Sequence, residues 1–149
     1  MDKGDLMDRE INMNGNGFDI RLLGTSGIED HHAHLLRLDY LDRCLFFSVG
    51  NDDRAVDAHC LRLMSTQAIV IGAYDNGRMR ASIEIVPDRD GRRGEATLIA
   101  EAEYQSDELA DAMMMRAQDE AARHGLGKLD FVGMTGTPQT IRTQIARFA

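Results

Sequence analysis

The chain contains no tryptophan, two prolines and two cysteines, and aromatic residues make up only 5% of it. With so few large rings, the interior has to be built from aliphatic side chains and the nine methionines, which gives an adaptable core. Cys44 and Cys60 match no zinc-ligand spacing and no disulfide framework. Both fall in apolar, helix-like stretches, where buried, reduced thiols are expected. No apolar run approaches the roughly 20 residues of a spanning helix, so no membrane association is expected. The opening MDKGDLMDRE also lacks the apolar centre of a signal peptide. The expected location is the cytoplasm. Basic residues are too few for a nucleic-acid surface: 17 Lys and Arg stand against 25 Asp and Glu, a net charge of −8.

What is present is enough for one domain. The chain has 149 residues, and its 43% hydrophobic content is too high for a disordered protein. Residues 1–17 are polar, end in NGNG and read as a flexible tail; residues 18–149 form the domain. FDIRLL (18–23) alternates as a half-buried strand does. A helix is expected over 28–38, where Leu35, Leu36 and Leu38 sit among charges. Its histidines invite a metal reading, but neighbours on a helix point about 100° apart. Only His31 and His34 can share a face, so a polar helical face, with no metal, is expected.

A second amphipathic helix over 52–64 follows the capping cluster Asn51-Asp52-Asp53. The period then changes. Residues 68–74 form a continuous apolar strand, Asp75-Asn76-Gly77 a hairpin turn, and 78–86 an alternating strand. A third strand spans 95–103, with Ala96, Leu98, Ala100 and Ala102 on one side. A long helix ends at Arg123-His124-Gly125, with cations in its last turn and glycine beyond it. Residues 128–133 read as a strand, and 137–148 as a short helix with Pro138 in its first turn. This β-α-α-β-β-β-α-β-α order makes a mixed α/β sheet flanked by helices.

That order, with three stretches of sequence, resembles the GNAT superfamily of acyl-CoA-dependent N-acyltransferases, in a bacterial subset. HLLRLDYLDR (34–43) with Phe46-Phe47 is similar to the first helix, and GAYDNG (72–77) to the hairpin between the second and third strands. EATLIAEAEYQ (95–105) is similar to the fourth strand, which in that subset opens with Glu and closes with an aromatic residue and Gln. The likeness runs from Phe18 to about Ala146. It implies an acetyl-CoA or other acyl-CoA cofactor held by the backbone of Ile99, Ala100 and Glu101, with Glu95 as a candidate base toward an amine.

The family's phosphate loop reads Gln/Arg-x-x-Gly-x-Gly/Ala. Here it falls on Gln105, Ser106, Asp107, Glu108, Leu109 and Ala110, and glutamate stands at the central glycine. Glycine lets an anion approach backbone N–H groups at a helix start. Glu108 adds bulk and negative charge there, so a degenerate site is expected. Read on its own residues, this turn is a capped helix N-terminus, with Ser106 as cap and two acids on the positive end of the dipole.

The sequence ends at Ala149, ahead of two strands that complete the family's sheet, and no tyrosine follows Tyr104 to serve as general acid. Two functions fit: an N-acyltransferase with a degraded cofactor site, or a non-catalytic interaction module that has lost the cofactor. A homodimer or a partner protein is expected along the C-terminal edge of the sheet, at Phe131 or the last helix.

Overall fold

The computed structural model describes residues 17–25, 27–47, 50–134 and 145–147. Strand β1 (Asp19–Leu22) is followed by helices α1 (Gly27–Leu36), α2 (Tyr40–Phe46) and α3 (Asp53–Met64). Strands β2 (Ile69–Asp75), β3 (Arg78–Pro87) and β4 (Arg93–Ala100) come next, then a single 3₁₀ turn, Ala102–Tyr104. Helix α4 (Asp107–Arg123), β5 (Lys128–Met134) and β6 (Ile145–Arg147) complete the described chain.

The six strands lie in sequence order. All neighbours are antiparallel except β4 and β5, which are parallel and joined across α4. The β2–β3 turn carries positive φ at both Asn76 (52°) and Gly77 (80°), the condition for the tight hairpin that matches strand twist.

Residues on alternate positions of the strands separate two layers. Ile71, Ala73, Ala81, Ile83, Ala96 and Leu98 face α4, which returns Leu109, Met113, Ala117 and Ala121 at steps of four. The small side chains on both surfaces let helix and sheet approach closely. On the opposite face, Ile99 packs with Leu35, Leu38, Phe47, Ala55 and Val56 of the α1–α3 layer. Helix α4 ends in a two-bond C-terminal motif: Leu126 N–H donates to Ala121 O and Gly125 N–H to Ala122 O, with Gly125 at φ 80°.

Four expectations change. The helix expected over 28–38 stops at Leu36, because Asp39 accepts from the N–H of Asp42 and caps a separate helix, α2. The strand expected to reach 103 ends at Ala100, where the chain turns into the 3₁₀ segment and Ala102 is exposed. Residues 145–147, expected to be helical, pair instead with Lys128–Asp130 of β5. The rest of that expected helix and the expected tail 1–16 lie outside the described residues. Of the two thiols expected to be buried, Cys44 is exposed and Cys60 half-buried. No helix among the described residues is long and apolar enough to cross a membrane.

Candidate functional site

The parallel ladder between β4 and β5 runs from Arg93 opposite Lys128 to Leu98 opposite Met134. Beyond it, β4 continues through Ile99 and Ala100, which remain registered with Ser82 and Ala81 of β3. Glu101 N–H donates to Arg80 O, so its neighbour Ala100 directs its backbone groups away from β3, toward the β5 side. The Ala100 carbonyl accepts from the side-chain amide of Gln105 at 3.0 Å. That amide also donates to Asp42 at 3.2 Å.

Ser106 caps α4. Its hydroxyl accepts from Leu109 N–H (3.2 Å) and its carbonyl from Ala110 N–H (3.0 Å). Asp107 and Glu108 occupy the first turn and are exposed, while Leu109 and Ala110 are buried against the sheet. The strand end and helix start therefore bring Ile99, Ala100, Glu101, Gln105 and Ser106 to one end of the sheet. Glu95 is not with them. It is exposed on β4 beside Val86 and Asp130, five residues and about 17 Å of strand from Ala100.

Behind Ala100, on the α1–α3 face, lies a polar network. Glu101 accepts from His34 Nδ1 (2.9 Å), Arg80 (2.9 Å) and Arg37 Nε (3.1 and 3.2 Å). Arg37 also donates to Met79 O. One turn back along α1, His31 Nε2 meets Glu84 Oε2 at 2.9 Å, and His59 Nε2 of α3 meets the other oxygen at 2.8 Å. His31, His34, Glu84 and Glu101 are all buried. Burial alone would raise both glutamates, but hydrogen bonds from the imidazoles outweigh it, aided at Glu101 by the arginines, and hold the carboxyls below their ordinary range. Burial pushes the His34 imidazole down, against the pull of Glu101.

The histidines are thus no polar surface: His31 and His34 turn inward together, their rings 6.4 Å apart, and only His32 stays outside, bonded to Asp57. The cause is the facing sheet, where Glu84 and Glu101 supply acceptors that make burial of two imidazoles tolerable. Among the described residues, no group of three His, Cys, Asp or Glu is placed to hold a metal. Sequence reasoning missed Arg37, Asp42, His59, Arg80 and Glu84 altogether. The available signal was the pairing of inward positions 31, 34 and 37 on one helix with acids on adjacent strands.

No protein-family model matches the sequence, and no curated protein resembles it significantly. Solved structures do. A GNAT-family acetyltransferase from Streptococcus pneumoniae superposes with a TM-score of 0.56 at 17% identity, covering 76% of this chain and 73% of that one. The GNAT domain of an S. lividans protein gives 0.62 at 11%, covering 76% and 70%. A GNAT-family acetyltransferase from Brucella melitensis, in complex with acetyl-CoA, gives 0.58 at 12%, covering 89% and 96%. Likeness at such low identity speaks for architecture, and on that ground the chain has the GNAT fold.

Proposed function

We propose that this protein is a GNAT-type, acyl-CoA-dependent N-acyltransferase domain with a degraded cofactor site. The observation that supports this reading is the parallel pair β4 and β5 joined across α4, with the capped start of that helix following directly on the end of β4. In this reading an extended thioester arm lies near Ile99 and Ala100, at the end of β4. The Brucella melitensis neighbour of the same fold binds acetyl-CoA, which supports this choice of ligand.

The fit to the coenzyme is uneven. At the arm's end, the strand backbone is suitable once it releases its present partners, the Gln105 amide on the Ala100 carbonyl among them. At the pyrophosphate end it is not: Ser106 Oγ already accepts from Leu109 N–H, and Asp107 and Glu108 place negative charge in the first turn. We therefore derive no catalytic step through the coenzyme, and Glu95 stands too far along β4 to be tied to one.

Those acids favour a second reading, a non-catalytic module that works through another protein. Thermal shift with acetyl-CoA discriminates. Ligand at 100 times its dissociation constant adds about 2.7 kcal/mol, several degrees for a domain of this size. A shift of that order at millimolar acetyl-CoA is expected; none at all would leave the interaction module.

A further inference from the structure

A cavity of about 380 Å³ lies between α1, α3 and the start of β2. Its walls are mainly apolar, with Leu23, Ile28, Leu63, Met64 and Val70 among them. It continues into a hollow of about 390 Å³ between α1 and α3, which shares Ile28, Cys60 and Met64. This place is remote from the end of β4 that leads into α4. Val70 is registered with Glu84, whereas the β2 residue in line with Ala100 is Ala73, and both β2 and β3 intervene.

His31 is the polar group that gives the cavity chemistry. Its side chain is 6% exposed and borders the cavity, while Nε2 is bonded to Glu84. An ionised carboxylate only accepts, so Nε2 carries a ring proton, and in the neutral imidazole Nδ1 then carries a lone pair. Among the described residues no donor meets Nδ1. Thr25, Thr66 and Cys60 are the other polar side chains on its wall. Thr66 Oγ1 donates to Leu63 O and accepts from Ala68 N–H, and burial holds the Cys60 thiol protonated by raising it to about 11.

The remaining electrostatics choose the ligand. Glu84 stands behind His31, and Glu29 and Asp57 line the outer hollow, so carboxylates and phosphates are repelled. A cation would have to lose its water among apolar walls, which is costly. A neutral molecule with one donor meets neither obstacle. We propose that this cavity is a binding site for a compact, neutral, apolar molecule whose single hydroxyl or N–H group donates to His31 Nδ1.

The test is an NMR titration of the whole chain with three probes of one shape: cyclohexanol, cyclohexanone and cyclohexanecarboxylate. Cyclohexanol should cause saturable amide shifts around Ile28, Cys60 and Leu63. The ketone, which has no donor, should bind about tenfold more weakly, the size of one hydrogen bond, and the carboxylate not at all. Long-range proton–nitrogen correlation should place the His31 proton on Nε2. Leu63→Trp, which fills the cavity from α3 without touching the His31–Glu84 bond, should abolish the cyclohexanol shifts while leaving the imidazole signals in place. Equal binding of alcohol and ketone, absence of saturable shifts, or their survival in Leu63→Trp would overturn the proposal.

Discussion

Gln105 is tied to Ala100: its side-chain amide nitrogen lies 3.0 Å from the Ala100 carbonyl oxygen, and its second hydrogen goes to Asp42. Asp42 is buried, and this burial pushes its carboxyl above the ordinary range, with Asp39 adding to the effect. The amide therefore stabilises an awkward acid and covers the strand end in one contact. Gln105→Ala should strengthen acetyl-CoA binding by about fivefold, the scale of one hydrogen bond. Calorimetric titration checks it; a loss of affinity would mean that Gln105 belongs to the ligand site instead of covering it.

Glu108 is the second obstacle. Glu108→Gly should also raise acetyl-CoA affinity, while costing the exposed helix start roughly 0.5 to 1 kcal/mol in propensity. The same titration, with a melt, reads both effects. Low-micromolar binding by the unaltered protein and no gain in the variant would sink the idea of a blocked site.

Buried imidazole and carboxylates set the pH response. His34 is held below its ordinary value, so the unfolded chain takes up a proton near pH 6.5 that the folded chain refuses. Stability contributed by this site is full above that pH and falls as pH drops below it. Glu84 and Glu101 are also held low; their contribution is full above the ordinary glutamate range and is lost as pH falls toward their depressed values. Tm should thus decline in two stages on acidification, the first between pH 7 and 5. His34→Gln should flatten the first stage. A Tm constant from pH 7.5 to 5 would contradict this.

Removing Glu84 leaves two imidazoles without their shared acceptor. Glu84→Ala should cost about 3 to 5 kcal/mol, as expected for breaking a buried paired group. Glu84→Gln keeps the shape and one acceptor and should cost less. Urea unfolding of both variants gives the comparison, and equal costs would show that volume, not pairing, matters at this position.

Much of the sheet was legible because its signals are local. Asn76-Gly77 specified one turn, alternation exposed β3, and Ser106 and Gly125 marked both ends of α4. The break at Asp39 was missed because Leu35, Leu36 and Leu38 keep the chain apolar across it, and only the cap's own hydrogen bond separates α1 from α2. The histidine network was missed for a different reason. Glu84 and Glu101 lie 53 and 67 residues beyond the imidazoles they receive, and a strand glutamate between apolar neighbours looks the same from sequence whether water or a helix covers it.

The expected C-terminal interface needs a different probe. Phe131 faces α4 and is buried with the core, so it cannot present itself to another chain, and the expected last helix is replaced at 145–147 by β6. Among the described residues, β6 pairs with β5 at Lys128–Asp130. We propose that a second copy or a partner docks on this half of the sheet, where Val132 is exposed. Light scattering at tens of micromolar should report a dimer that Val132→Lys dissociates. A monomer unaffected by the substitution would exclude the homodimer and leave the partner.

The order in which strands join the sheet also shapes how the chain folds. β2, β3 and β4 are linked by short turns and pair as consecutive antiparallel neighbours, so their contacts close small loops. β5 must wait for the 17-residue helix α4 to carry it across, and β1 finds β2 only after three helices. Pulse-labelled hydrogen exchange should therefore find protection first in β3, which has a partner on each side within the meander. The β4–β5 boundary should be protected later. That boundary is thus a late-formed seam between an early meander and a late crossover, the kind of place at which local opening requires least of the remaining fold.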